Sequence, residues 1–189
     1  MIAEITTQLK SHCEVIGHIE RELKPLIAEV SLLLIETFKQ GGKLLVMGNG
    51  GSAADSQHFA AEIVSRFRLE RCGLPAMALS TDTSILTAIG NDYGFEMVFR
   101  RQVEALAVPG DMVFGISTSG NSANVKHALE LARDKGCRTV ALLGRDGGSI
   151  KHMCDLSLIV PSNDTPRVQE GHITIIHIIC DLVEQTMFA

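Results

Sequence analysis

Apolar residues recur at threes and fours through the first forty positions: Ile5, Leu9, Ile16, Ile19, Leu23, Leu26, Ile27, Val30, Leu33 and Leu34. That spacing predicts helix throughout residues 1–40. Pro25 lacks an amide proton and is expected to separate or kink two helices there, and Gly41-Gly42 stops the second. The pattern then changes. Five short apolar runs follow: Leu44–Met47, Ala76–Leu79, Met112–Ile116, Thr139–Leu143 and Leu156–Val160. Runs, in place of alternation, predict strands buried on both faces, as in a parallel sheet covered by helices. Helical stretches lie between and after them: Ser52–Phe67, Thr83–Ile89, Glu96–Ala107, Asn121–Lys135 and, beyond the turn-like Pro161–Pro166, Arg167–Met187. Right-handed crossovers turn this order into an α/β three-layer sandwich, a five-stranded parallel sheet flanked by helices with an N-terminal helical arm. Residues 1–40 are read as the arm and 41–189 as the domain. The arm carries more apolar positions than one stripe against a single sheet requires, which predicts a homo-oligomer.

Composition narrows the partners. The 189 residues are 46% hydrophobic and 21% charged, enough for one full core. A net charge of −5 without a basic block argues against direct binding to nucleic acid or to an anionic membrane. Any anion site must therefore rely on local backbone dipoles. No apolar run approaches the roughly 18 residues needed to span a bilayer, and no signal-peptide pattern opens the sequence. Cys13, Cys72, Cys137, Cys154 and Cys180 show no paired spacing, so reduced thiols and a cytoplasmic location are expected.

Two glycine- and hydroxyl-rich loops carry the strongest chemical signal. Gly48-Asn49-Gly50-Gly51-Ser52 follows the first strand, and Ser117-Thr118-Ser119-Gly120-Asn121-Ser122 follows the third. Each leads into a helix, whose unpaired N–H groups and positive dipole end attract anions. Neither loop has the lysine of a nucleotide P-loop, and neither fits GxGxxG. A sugar phosphate is the expected guest. In doubly wound sheets ligands sit beyond the carboxyl ends of strands, where both loops fall.

His58 and Glu62, four apart, project from one face of the helix behind the first loop. They could serve a bound substrate, as a proton shuttle or with a metal, or be an ordinary surface pair. Spacing alone leaves both readings open. On the last helix, His177 sits among isoleucines and needs a partner, whether as a functional group or as a core histidine. Gln169 lies eight residues earlier, about 12 Å along a regular helix. The two can share a small site only if the helix start is frayed or if they come from different subunits. Glu170 and His172 read as solvated. Asn91-Asp92 reads either as a helix-stop turn or as a polar pocket rim, and Gly144–Gly148 as a connector.

Together the two loops, the His58…Glu62 helix and the Arg167-Val168-Gln169-Glu170…His177 helix resemble the sugar isomerase (SIS) domain family, and within it the phosphoheptose isomerases. The resemblance runs over nearly the whole chain. It implies interconversion of sedoheptulose 7-phosphate and D-glycero-D-manno-heptose 7-phosphate through a cis-enediol, at the entry to lipopolysaccharide core heptose synthesis. It implies Glu62 as the catalytic base and His177 as the acid. Ser117, Thr118, Ser119 and Ser122, with Ser52 nearby, match the phosphate loop. Asn49, Gly50, Gly51, Asn91, Asp92 and Gln169 match substrate-contacting positions. His58, Glu62, Gln169 and His177 match the ligands of a zinc ion, one per subunit, in some members. A homotetramer with active sites at subunit interfaces is implied as well. A second branch of the family, a non-enzymatic adaptor that binds the replication initiator, shares features such as Ser80-Thr81-Asp82. Ala53-Ala54 and Ala61 depart from the commonest isomerase pattern but leave the catalytic set intact.

Overall fold

The computed structural model describes residues 1–189. Helix α1 (Ile2–His18) passes through a π-helical turn (Ile19–Leu23) into α2 (Lys24–Lys39), with Pro25 in its first turn. Pro25 has no N–H to donate to a carbonyl one turn back, and the run accommodates it by widening to the π turn just before it. The expected break is thus a π turn inside a continuous helical run. Strands β1 (Leu44–Gly48), β2 (Ala76–Ala78), β3 (Met112–Ser117), β4 (Arg138–Gly144) and β5 (Leu156–Val160) form one sheet in the order β2-β1-β3-β4-β5, every pair parallel. Between them run α3 (Gly51–Val64), α4 (Thr83–Tyr93), α5 (Val98–Leu106) and α6 (Ala123–Asp134), and α7 (Thr165–Phe188) closes the chain.

Burial confirms the expected strands and refines the rule behind them. Every residue of β1 and β3 is buried, whereas the edge strands β2 and β5 are partly open. One core, on the α2–α3–α7 side, joins Val30, Leu34, Phe59, Phe114, Leu142, Ile175 and Ile179. The other, under α5 and α6, joins Leu45, Met47, Phe99, Val113, Leu129 and Leu143. The arm takes part unevenly: α2 buries Ile27, Val30, Leu34, Ile35 and Phe38, while α1 buries nothing and exposes Ile2, Ile5 and Leu9.

Three local expectations are corrected. Helix α4 runs through Asn91 and Asp92 to Tyr93, so these two lie in its last turn and not in a stop turn. His172 is fully buried, not solvated. Its Nε2 lies 3.0 Å from the Leu143 carbonyl, which can only accept, so Nε2 carries the proton and Nδ1 is left without a partner. Glu170 is no free surface carboxylate, because it joins His12 (2.8 Å) to Arg167 (2.7 Å) between α7 and α1.

The topology fixes where a ligand can sit. The chain leaves β1 outward to β2 and returns to β3 on β1's other side, so the direction of winding reverses between β1 and β3. A crevice opens at such a reversal, beyond the strands' carboxyl ends. Both glycine- and hydroxyl-rich loops flank it.

Candidate active site

The loop after β3 holds itself in shape. Ser117 Oγ lies 2.9 Å from Ser122 Oγ and 3.5 Å from Ser119 Oγ, and Ser119 Oγ accepts the Asn121 N–H at 3.1 Å. Thr118 is half-buried beside them. Gly120 takes a positive φ of 66°, and a Cβ there would fall on the Gly147 carbonyl. The Ile150 N–H donates to the Gly120 carbonyl (3.0 Å), and the Ser149 N–H to Asn121 Oδ1 (2.9 Å). The segment after β4, expected to be a connector, is therefore a brace for the hydroxyl loop.

The first loop is joined to the second by a pair the sequence did not announce. Asn49 and Asn124 exchange two amide hydrogen bonds, each 2.9 Å, across the crevice. Asn124 is buried, and its Oδ1 also accepts the Val125 N–H. Asn49, Phe95, Glu96, Ser122, Ala123 and Asn124 line an open pocket of about 360 Å³. Neither α3 nor α6 has a side-chain bond from its N-cap; the Ser52 and Ala53 N–H groups turn back to the Asn49 and Gly50 carbonyls and that of Val125 goes to Asn124, which leaves the first N–H of each helix to an anion. Gly50 supplies the turn into α3, Gly51 begins the helix, and Ser52 is buried just inside it. Asn91 and Asp92 are exposed and bonded to one another (2.8 Å).

Helices α3 and α7 pack side by side and bring the third group together. His58 Nε2 lies 3.0 Å from Glu62 Oε1 and 3.4 Å from His177 Nε2. The three ligand-type atoms lie within 4.8 Å of one another. Glu62 and His177 thus converge within one chain, without help from a second subunit. His177 is half-buried, its ring 5.0 Å from the His58 ring and 5.7 Å from that of Phe67. Two imidazole nitrogens and a carboxylate oxygen facing one another suit a divalent transition metal such as zinc. Gln169 stands elsewhere, against Gly51: a Cβ on that glycine would occupy the place of its carboxamide. α7 is regular from Thr165 onward, so Gln169 is not at a frayed start.

Sequence reasoning missed Asp55. It precedes His58 by one turn, on the same side of α3. One of its oxygens is buried without a partner, and burial raises its carboxyl to about 6, against the smaller opposing pull of His58. An acidic residue at i and i+7 with Glu62 was the available signal.

Comparison with known proteins agrees with this fold. A SIS-domain family model matches residues 9–144. The phosphoheptose isomerase of Citrifermentans bemidjiense is 69% identical over 188 residues, covering 100% of this chain and 98% of the relative. That of Geobacter sulfurreducens is also 69% identical, with 100% of both chains covered. The solved structure of the Neisseria gonorrhoeae phosphoheptose isomerase superposes with a TM-score of 0.93 at 44% identity, over 98% of this chain and 100% of that one. The Francisella tularensis enzyme gives 0.94 at 37%, over 97% and 98%. The chain belongs to the SIS-domain family and, within it, to the phosphoheptose isomerases.

Proposed function

We propose that the chain converts sedoheptulose 7-phosphate to D-glycero-D-manno-heptose 7-phosphate, an aldose–ketose isomerisation that feeds heptose into lipopolysaccharide core synthesis. One observation carries the assignment of roles: a carboxylate and an imidazole face each other within 4.8 Å where α3 packs on α7. Glu62 stands near the far end of α3 (Gly51–Val64), about 15 Å along it from the first loop, so the loops that hold its substrate's phosphate come from a second copy. Ser117, Thr118, Ser119 and Ser122 hold the phosphate together with the open N–H groups of α6, and Ser52, Asn49, Gly50 and Gly51 do so from the α3 side. Asn91, Asp92 and Gln169 contact the sugar. Fixing the remote phosphate holds the reacting carbons in place.

In the forward direction the Glu62 carboxylate takes a proton from C1, and the C1–H electron pair forms the C1–C2 double bond. His177 gives a proton to the former carbonyl oxygen on C2, leaving a cis-enediol. The hydroxyl on C1 then loses its proton to His177, and Glu62 returns its proton to C2. Both groups end as they began. A base and an acid of this kind each contribute roughly 10²–10⁴-fold. Zinc held by His58, Glu62 and His177, with Gln169 of the partner subunit completing the set, would supply Lewis-acid stabilisation of the enediol oxygens.

Gln169 joins His177 most simply through a second copy, and the exposed Ile2, Ile5 and Leu9 of α1 support association. We infer a homotetramer with the 1–40 arm as its assembly element. The five cysteines are free, which supports the reducing cytoplasm. No helix is long and apolar enough to cross a membrane. The relatives favour the isomerase over the initiator-binding adaptor.

A coupled assay on sedoheptulose 7-phosphate tests the reading. Glu62→Gln lowers kcat by roughly 10²–10⁴-fold while the substrate still raises the melting temperature; near-normal turnover in that variant would remove Glu62 from its role. Chelation followed by zinc addition lowers and restores the rate if the metal takes part.

A further inference from the structure

Glu184 is a carboxylate with almost no exposure and four donors. It accepts the N–H groups of Phe67 (2.8 Å), Arg68 (2.6 Å) and Leu69 (2.6 Å), and Arg71 Nε at 3.0 Å. Both side chains of this ion pair are 2% exposed. The remaining guanidinium N–H groups of Arg71 reach the carbonyls of Glu62 (2.9 Å), Ile63 (2.9 Å), Ser65 (3.2 Å) and Cys72 (2.9 Å). Arg71 therefore caps the carboxyl end of α3, where carbonyls lack intrahelical donors and a cation is favoured. Its partner belongs to α7.

These contacts meet the acid–base pair from both sides. One of the capped carbonyls is that of Glu62 itself. Glu184 lies seven residues after His177, two turns along the same side of α7. Phe67, pinned by its N–H to Glu184, lays its ring 5.7 Å from that of His177. Buried ion pairs give little net stability over well-packed apolar residues, whereas removal of one partner alone is costly. Stability is therefore a poor reason for burying this pair, and its bonds point to geometry. We propose that Arg71 and Glu184 are positioning residues, a clamp between α3 and α7 that sets the separation and alignment of Glu62 and His177.

The proposal rests on the assignment of those two as the acid–base pair. The test compares wild type, Glu184→Gln and the apolar double variant Arg71→Met/Glu184→Leu, each confirmed as folded by circular dichroism. The double variant removes both charges together and so leaves no unpaired one. For both variants kcat falls roughly ten- to hundredfold, the cost of a misplacement of about 1 Å. KM stays within about twofold, because the phosphate loops are untouched, and the pH profile of kcat shifts. A purely structural pair predicts a double variant with wild-type kcat and pH profile, and that result overturns the clamp. If the wild type itself does not isomerise sedoheptulose 7-phosphate, the functional reading falls. Crystal structures of the double variant then decide the clamp: a widened Glu62–His177 separation supports it, and an unchanged one overturns it.

Discussion

The hydroxyl loop after β3 and the proposed acid–base cluster between α3 and α7 are built in opposite ways. The loop takes its internal hydrogen bonds from residues 117–122 and its brace from the turn after the neighbouring strand. The cluster draws His58 and Glu62 from one helix and His177 from another, 119 positions from His58. Its scaffold is just as distant, since Arg71 and Glu184 are separated by 113 positions. On the proposed reading, phosphate binding is thus a largely local property of the chain and chemistry a tertiary one. Variants in the two regions should differ in which kinetic parameter they move.

The largest contrast pairs Glu62→Gln with Gly120→Ala. The first removes a proton acceptor and should lower kcat by roughly 10²–10⁴-fold with little change in substrate binding. The second forces a side chain into a left-handed backbone position and onto the Gly147 carbonyl. It should cost about 3 kcal/mol of stability and raise KM more than it lowers kcat, because the phosphate cradle is displaced. Urea unfolding and steady-state kinetics check both. A Gly120→Ala enzyme with wild-type KM would show that the loop does not hold the phosphate.

A smaller effect probes the joint between the two loops. Removing one amide of the Asn49–Asn124 pair leaves the other unsatisfied, a loss of about 1–2 kcal/mol. In a double-mutant cycle with Asn49→Ala and Asn124→Ala, the two losses should fall short of additive by about 1 kcal/mol, the sign of direct coupling. Full additivity would show that the loops are set independently.

The same contrast explains what the sequence made legible. All five strands were readable, because a run of buried apolar residues between glycine-rich turns is a local signal. Both loops were readable for the same reason. Helix α3 was expected to reach Phe67 but ends at Val64, since Arg71 takes its last carbonyls and Glu184 draws the following N–H groups into a turn. Neither residue lies near that boundary in a way that spacing reveals. Asn124 sits in the first turn of α6, and only its partner across the crevice gives it a role. His58, Glu62 and His177 could be nominated from their residue types and the family resemblance. Their meeting within one chain required the packing of α3 on α7.

His172 offers the finest test, because it lies on α7 between Gln169 and His177 yet faces the sheet and not the site. Burial holds its imidazolium at about 4, well below the ordinary 6.5, against the weaker opposing pull of the Leu143 carbonyl. As the pH falls, the unfolded chain therefore binds this proton before the folded one does. Stability should begin to fall near pH 6.5 and this contribution should level off near pH 4. Between pH 7 and pH 5.5 the loss is about 1 kcal/mol. Glu184 works in a lower window: its donors hold the carboxyl at about 2 despite burial, so the stability it contributes is lost as pH falls from 4.5 toward 2. His172→Gln keeps a donor for the Leu143 carbonyl but cannot titrate, so its urea midpoint should change less than the wild type's over pH 7 to 5.5. Because the buried imidazole bonds to the Leu143 carbonyl of β4 and not to the proposed acid–base cluster, kcat of that variant should follow the wild-type pH profile. A shifted profile would mean that α7 transmits the state of its buried face to His177, and the separation between scaffold and chemistry would have to be redrawn on that helix.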